Sequence, residues 1–199
     1  MSVRRICVKA SLLLALGASV ALFAACGGGA KSPAKTPAGG TPSPGVATFA
    51  LTSEAFENEG TIPARYSCDG DNVSPPLTWT EPPQGTDALA LIVDDPDAPG
   101  GEFTHWVLFD LPAETRALPE AVETSERPQV GGAQGGNDAG GTGYTGPCPP
   151  EGPAHRYRVT LYALEAPINL DPGAKKQEVL DIMDGDILAR AELAGTYGR

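Results

Sequence analysis

Short apolar runs separated by turn-forming residues dominate the chain from residue 46 onward. Residues 88–93 (ALALIV) and 106–109 (WVLF) each have the length of a strand and are too short for an ordinary globular helix. Between them lies Asp94-Asp95-Pro96-Asp97-Ala98-Pro99-Gly100-Gly101, where two prolines fix φ and remove backbone donors while the glycine pair permits positive φ. This stretch predicts a shaped turn that presents carboxylates at a sheet edge, with His105 following at the start of the next strand. On spacing alone, a merely solvated turn explains the same residues. Residues 155–164 form the clearest strand pattern, and period-two alternation puts His155, Tyr157, Val159 and Leu161 on one face. A short strand is also expected over 47–52 and a turn with a short strand within 68–79, with irregular connections at 54–63 and 113–130 and a glycine-rich loop at 131–146. Residues 174–193 place Val179, Ile182, Met183, Ile187, Leu188 and Ala191 at helical spacing, interrupted by Gly185, which predicts one or two C-terminal helices on the sheet.

Composition agrees with an all-β class. Gly 25 and Pro 20 together fill more than a fifth of the 199 residues, and aromatics are only 6%, which suits turns between short strands better than a helix bundle. The N-terminus reads differently from the rest. Arg4, Arg5 and Lys9 precede an uncharged apolar run at 10–23 and then Ala24-Ala25-Cys26, which predicts a signal peptide over residues 1–25, the run being too short to span a membrane. The pattern resembles a bacterial lipoprotein signal, with Phe23 departing from its usual aliphatic residue, so Cys26 is the expected site of lipidation. Two or three acyl chains there would anchor the protein stably. Residues 26–45 are Gly/Pro-rich and almost free of apolar side chains, a disordered tether in front of one domain at 46–199. The expected location is the cell membrane or its periplasmic face.

Loss of residues 1–25 removes three basic and no acidic residues, taking the formal net charge from −11 to −14. Nucleic acid and anionic bilayer surfaces would both repel such a protein, which leaves the lipid as its expected contact with a membrane. Cys7 leaves with the signal and Cys26 is acylated, so Cys68 and Cys148 remain in an oxidising compartment and suggest one disulfide. Two free buried thiols are the alternative that spacing leaves open.

Two histidines are the whole supply, and both stand at strand beginnings. If His105 and His155 converge, protonated imidazole, a phenol and backbone N–H groups of the glycine and proline loops could bind one oxyanion, with Asp95 orienting an imidazole. The G-x-G-x-x-G match at 141–146 is no nucleotide site, because Pro147-Cys148-Pro149-Pro150 blocks the helix that must follow it. Zinc on the histidines, or calcium on Asp69, Asp71 and the acidic turn, would suit a metal-assisted hydrolase using Asp94, Asp95, Asp97, His105 and His155. The chain contains no H-E-x-x-H, no G-x-S-x-G and no complete EF-hand loop, so neither an enzyme nor a cofactor or metal is expected.

Five motifs occur in order: 69–79 (DGDNVSPPLTW), 95–99 (DPDAP), His105-Trp106, 143–150 (GYTGPCPP) and His155-Arg156-Tyr157. Over roughly 47–199 the chain thereby resembles the bacterial Raf-kinase-inhibitor-like branch of the phosphatidylethanolamine-binding protein family. The resemblance implies an antiparallel β-sandwich with peripheral C-terminal helices and a small anion pocket at one end. By matching position, that pocket would use Asp95, Asp97, His105, Cys148, Pro149, Pro150, His155 and Tyr157, with Tyr144 either a pocket wall or a loop anchor. Asp110 stands where relatives often have Asn, and Asn137-Asp138-Ala139 interrupts the glycine-rich loop, which leaves the rim open. The implied function is capture of a small anion or phospholipid headgroup. Inhibition of a kinase or serine protease, with an envelope protease as partner, is the alternative.

Overall fold

The structure is a computed structural model that describes residues 49–199. The expected signal peptide, the lipidated Cys26, the tether and the first residues of the 47–52 strand lie outside the described residues.

Among the described residues, nine strands, one helix and a 3-10 turn (Ala64–Tyr66) follow in the order β1 (Leu51–Thr52), β2 (Gly60–Thr61), β3 (Leu77–Trp79), β4 (Ala88–Asp95), β5 (Phe103–Pro112), β6 (Ala117–Leu118), β7 (Ala133–Gln134), β8 (His155–Leu164), α1 (Lys176–Met183) and β9 (Ile187–Tyr197). They form an all-β architecture of two sheets, ordered β1-β3-β6 and β2-β9-β8-β4-β5-β7. Every pairing is antiparallel except β2 with β9. The acidic turn therefore joins two interior strands and sits at the end of the large sheet, not at its lateral edge.

β4 is buried at all eight positions because both faces of the large sheet are covered. Leu89, Leu91 and Val93 face the small sheet, in one core with Leu77, Trp79, Trp106, Leu118 and Leu161. Ala90 and Ile92 face the other way, packing with Val107, Phe109, Val179 and Met183 beneath α1. At the end of β4 the alternation carries Asp94 to the α1 side and Asp95 to the side between the sheets.

The helix expected at 174–193 is real only in its first half. Glu178 caps its start, its Oε2 accepting from Lys175 N–H at 2.7 Å, and Gly185 at φ 98° ends the segment. Ile187 to Tyr197 then forms a strand that pairs along the whole of β8. Ile182 and Leu188, two of the apolar positions that fitted a helical stripe, are exposed at 47% and 40%. The apolar residues after Gly185 satisfy a period of two as well, and the open edge of β8 decides between the two readings.

Candidate functional site

His155 and Tyr157 open β8 on the face between the sheets, two residues apart on one side of the pleat. Opposite them, β4 ends in Asp95, whose Oδ2 accepts from His155 Nδ1 at 2.7 Å. Its Oδ1 accepts from the backbone N–H of Asp97 at 2.8 Å, so the turn that follows β4 is folded around the same carboxylate.

His105 reaches this face by a different route. β4 and β5 pair Val93 with Trp106 but Asp94 with Thr104, a register shift that leaves His105 as the extra residue of a β-bulge. Regular alternation would send it with Val107 and Phe109 towards α1. The bulge turns it instead to the pocket, where its ring lies 4.8 Å from that of Phe103 and edge-on to Tyr157 at 5.2 Å. Its Nδ1–H donates to Thr145 O at 2.8 Å, and Thr145 N–H returns a bond to His105 O at 3.0 Å. Burial holds the His105 pKa below its ordinary value, against the opposing influence of the Thr145 carbonyl and the Asp95 and Asp138 carboxylates.

The loop 145–150 closes the other wall. Gly146 lies so close to Tyr66 O that a Cβ would fall 2.3 Å from it, and its N–H donates to Asn72 Oδ1 at 2.7 Å. Cys148 is bonded to Cys68, which ties this wall to the turn after Tyr66 across 80 residues of sequence. The result is an open pocket of about 230 Å³ whose lining includes Asp95, Phe103, His105, Cys148, His155 and Tyr157. Ala98, Pro99, Ala139, Pro149 and Pro150 complete its walls.

Seven of the nine residues named for it converge there: Asp95, His105, Cys148, Pro149, Pro150, His155 and Tyr157. Two do not. Asp97 turns outward, accepting from Arg156 Nη2 at 3.0 Å and from the Arg156 backbone N–H at 2.9 Å. Tyr144 is a loop anchor: its O–H donates to Tyr66 O at 2.7 Å, and its ring packs edge-on against Trp106 beside a small apolar cavity behind the pocket. Asp110 lies elsewhere, accepting from the backbone N–H groups of Ile168 and Asn169, and takes no part in the rim. Asp138 bonds Thr104 through side chain and backbone, which brings Ala139 to the rim.

Phe103 and Asn72 were missed by sequence reasoning. Phe103 carries a signal in hindsight, since it stands two residues before His105. Asn72 carries none beyond its turn-forming neighbours.

The backbone supplies fewer donors than expected. Thr145 and Gly146 N–H groups are already committed, and Pro99, Pro149 and Pro150 have none. Among the side chains, Tyr157 stands out, since its hydroxyl is fully buried and makes no hydrogen bond. Burial raises its pKa, and the nearby Asp95 carboxylate raises it further by its charge and as an acceptor close to the hydroxyl, so the phenol stays neutral.

A family model for phosphatidylethanolamine-binding proteins matches residues 52–198. The chain is 50% identical over 149 residues to a UPF0098 protein of Methanothermobacter thermautotrophicus, covering 75% of this chain and 98% of that one. It is 37% identical over 191 residues to LppC of Mycobacterium tuberculosis, named as a candidate lipoprotein, covering 90% of this chain and 92% of that one. Among solved structures it resembles a phosphatidylethanolamine-binding protein homologue, CT736, from Chlamydia trachomatis, with TM-score 0.69, 38% identity and coverage of 76% and 98%. It also resembles E. coli YbcL, described as a member of the mammalian family, with TM-score 0.71, 32% identity and coverage of 77% and 99%. Fold, ordered motifs and these similarities agree, and the chain belongs to the phosphatidylethanolamine-binding protein family.

Proposed function

We propose that the protein is a lipid-anchored binding protein of the cell envelope that holds a small phosphate- or carboxylate-bearing ligand between His105, His155 and Tyr157. One observation carries the reading. Tyr157 lines the pocket and its hydroxyl is buried without a partner, and an unsatisfied buried donor costs about 1–3 kcal/mol unless something accepts from it. An oxyanion in the pocket would do so. When protonated, the two imidazoles supply the remaining donors, because their Nδ1 atoms are held by Thr145 O and Asp95 and Nε2 is the nitrogen left for a ligand. The anchor is supported by the Ala24-Ala25-Cys26 pattern and by a similarity to LppC that extends over nine-tenths of this chain. Asp95 is committed to holding His155 and the turn, which favours a binding role over one in which a free carboxylate attacks a substrate.

Titration calorimetry with inorganic phosphate at pH 6 and pH 8, on the protein and on His155→Ala, tests the reading. Acidification adds imidazole N–H donors and positive charge, so binding should be tighter at pH 6, and the variant should lose at least about tenfold in affinity. A folded protein that shows no heat with phosphate or acetate at either pH would remove the pocket as the functional centre.

A further inference from the structure

The two ends of the Cys68–Cys148 bond are held very differently. Cys68 stands in a turn fixed from several sides. Ser67 Oγ donates to Ala64 O at 2.8 Å and accepts from Asp69 N–H at 3.1 Å, while Asp69 accepts from Tyr197 O–H at 2.7 Å and pairs with Arg199 at 3.1 Å. Cys68 N–H donates to Pro147 O at 3.0 Å, and Asn72 at the end of the turn holds Gly146. Beyond Pro147 this support stops. Residues 148–154 form no hydrogen bond with any described residue, and Pro149, Pro150 and Pro153 have no N–H with which to form one. Yet Cys148, Pro149 and Pro150 line the pocket. His105 and His155 need no such help, because Thr145 and Asp95 hold them. Between Pro147 and the start of β8, therefore, the disulfide is the one tie besides packing that fixes the wall.

We propose that Cys68 and Cys148 are positioning residues for the pocket wall, so that the protein holds its oxyanion tightly only while the bond between them is closed. The inference rests on the oxyanion reading above. With the bond open, the segment 148–154 is free to leave the pocket. A wall in place about a tenth of the time lowers affinity about tenfold, and water entering beside the ligand weakens each charged contact that remains. Both cysteines are exposed, so an external dithiol can reach the bond. Its thiolate attacks one sulfur, the S–S bond breaks and the other sulfur leaves as a thiolate that takes up a proton. The second thiol of the reagent then closes a disulfide on itself and frees the first cysteine, so two electrons and two protons pass from dithiol to protein. A chain still in a reducing cytoplasm would keep the wall loose, and oxidation after export would complete the site.

The test is calorimetry with inorganic phosphate at pH 6 on the oxidised protein, on the protein reduced with dithiothreitol and freed of the reagent, and on the same sample after re-oxidation. Cys148→Ser, which cannot close the bond, is measured beside them, and circular dichroism follows the fold throughout. The reduced protein and Cys148→Ser should stay folded and bind phosphate at least about tenfold more weakly, and re-oxidation should restore affinity to the reduced protein alone. A lower melting temperature would accompany any loss of the bond, so affinity measured well below both melts is the discriminating readout. A reduced, folded protein that binds phosphate as tightly as the oxidised one would overturn the inference and leave the oxyanion pocket intact. Unfolding on reduction would overturn it as well, because the bond would then be holding the fold and not the wall. No binding by the oxidised protein would remove the pocket itself, and the inference with it.

Discussion

Asp94 and Asp95 are neighbours at the end of β4, both almost fully buried, yet one faces α1 and the other the pocket. Asp94 is surrounded by fixed charge. Lys176, the first residue of α1, lies 2.8 Å from its Oδ1, and Arg158 of β8 lies 3.9 Å from Oδ2. Both cations also pair with Glu102, on the turn before β5. Around Asp95, by contrast, the protein leaves capacity unused: the buried Tyr157 hydroxyl has no partner, and the bonds from His105 to Thr145 O and from His155 to Asp95 engage Nδ1 of each ring. A buried charge answered by counter-charges from two elements holds architecture together. A buried donor left unanswered beside an open pocket waits for something from outside.

The largest effect that separates the two faces is expected from Lys176→Met. It leaves Asp94, whose pKa burial already raises, without its nearest counter-charge, and should cost about 2–3 kcal/mol of stability in urea denaturation. The sign with pH follows from that shift. A carboxyl raised above its unfolded value takes up a proton more readily in the folded state, so the penalty should be greatest at neutral pH and should shrink as pH falls through the folded pKa of Asp94. Phosphate affinity at neutral pH should stay within about twofold, since the two faces share no partner. A loss of affinity in Lys176→Met as large as that in His155→Ala would break the comparison.

A smaller effect, of opposite character at two similar side chains, sharpens it. Tyr144→Phe removes a buried bond to Tyr66 O and should cost about 1 kcal/mol without changing phosphate affinity. Tyr157→Phe removes a hydroxyl that bonds to nothing, so stability should be unchanged or slightly higher while phosphate affinity falls by about fivefold or more. Thermal melts and calorimetry on both variants read this directly. The reverse result, with Tyr144 controlling affinity, would move the ligand into the apolar cavity behind the pocket.

How much of this was legible in the sequence depended on whether one strand's own periodicity carried the information. His155 and Tyr157 sit two residues apart in an uninterrupted run, so their shared face was readable. His105 was found as a residue beside a turn, but the bulge that aims it arises from the pairing of β4 with β5 and leaves no mark on local alternation. The same dependence on a partner explains the missed two-residue strands β2, β6 and β7, and the second half of the expected helix, which became β9 along β8. Asp97 was placed in the pocket, and Tyr144 left as pocket wall or loop anchor, because they stand within the right motifs. Which polar residue of a turn points inward is settled by competing partners, Arg156 for one and Tyr66 O for the other.

Asp97 supplies the smallest test, and it bears on where the pocket ends. Its side chain pairs with Arg156, and the Arg156 guanidinium and backbone N–H together bring its pKa from 3.8 to about 2. A carboxyl held below its unfolded value stabilises the fold above that value, and the contribution is lost as pH falls towards about 2. Asp97→Asn should therefore be slightly less stable than the parent at pH 6 and indistinguishable from it by pH 2, and the small difference should shrink further in high salt because the pair is exposed. Phosphate affinity at neutral pH should not change. The contribution of residue 97 to the pocket turn is its backbone N–H to Asp95 Oδ1, which the substitution keeps. If Asp97→Asn instead loses affinity on the scale of His155→Ala, the Arg156–Asp97 pair belongs to the binding site, and the boundary between the unanswered and the answered polar groups must be drawn outside this turn.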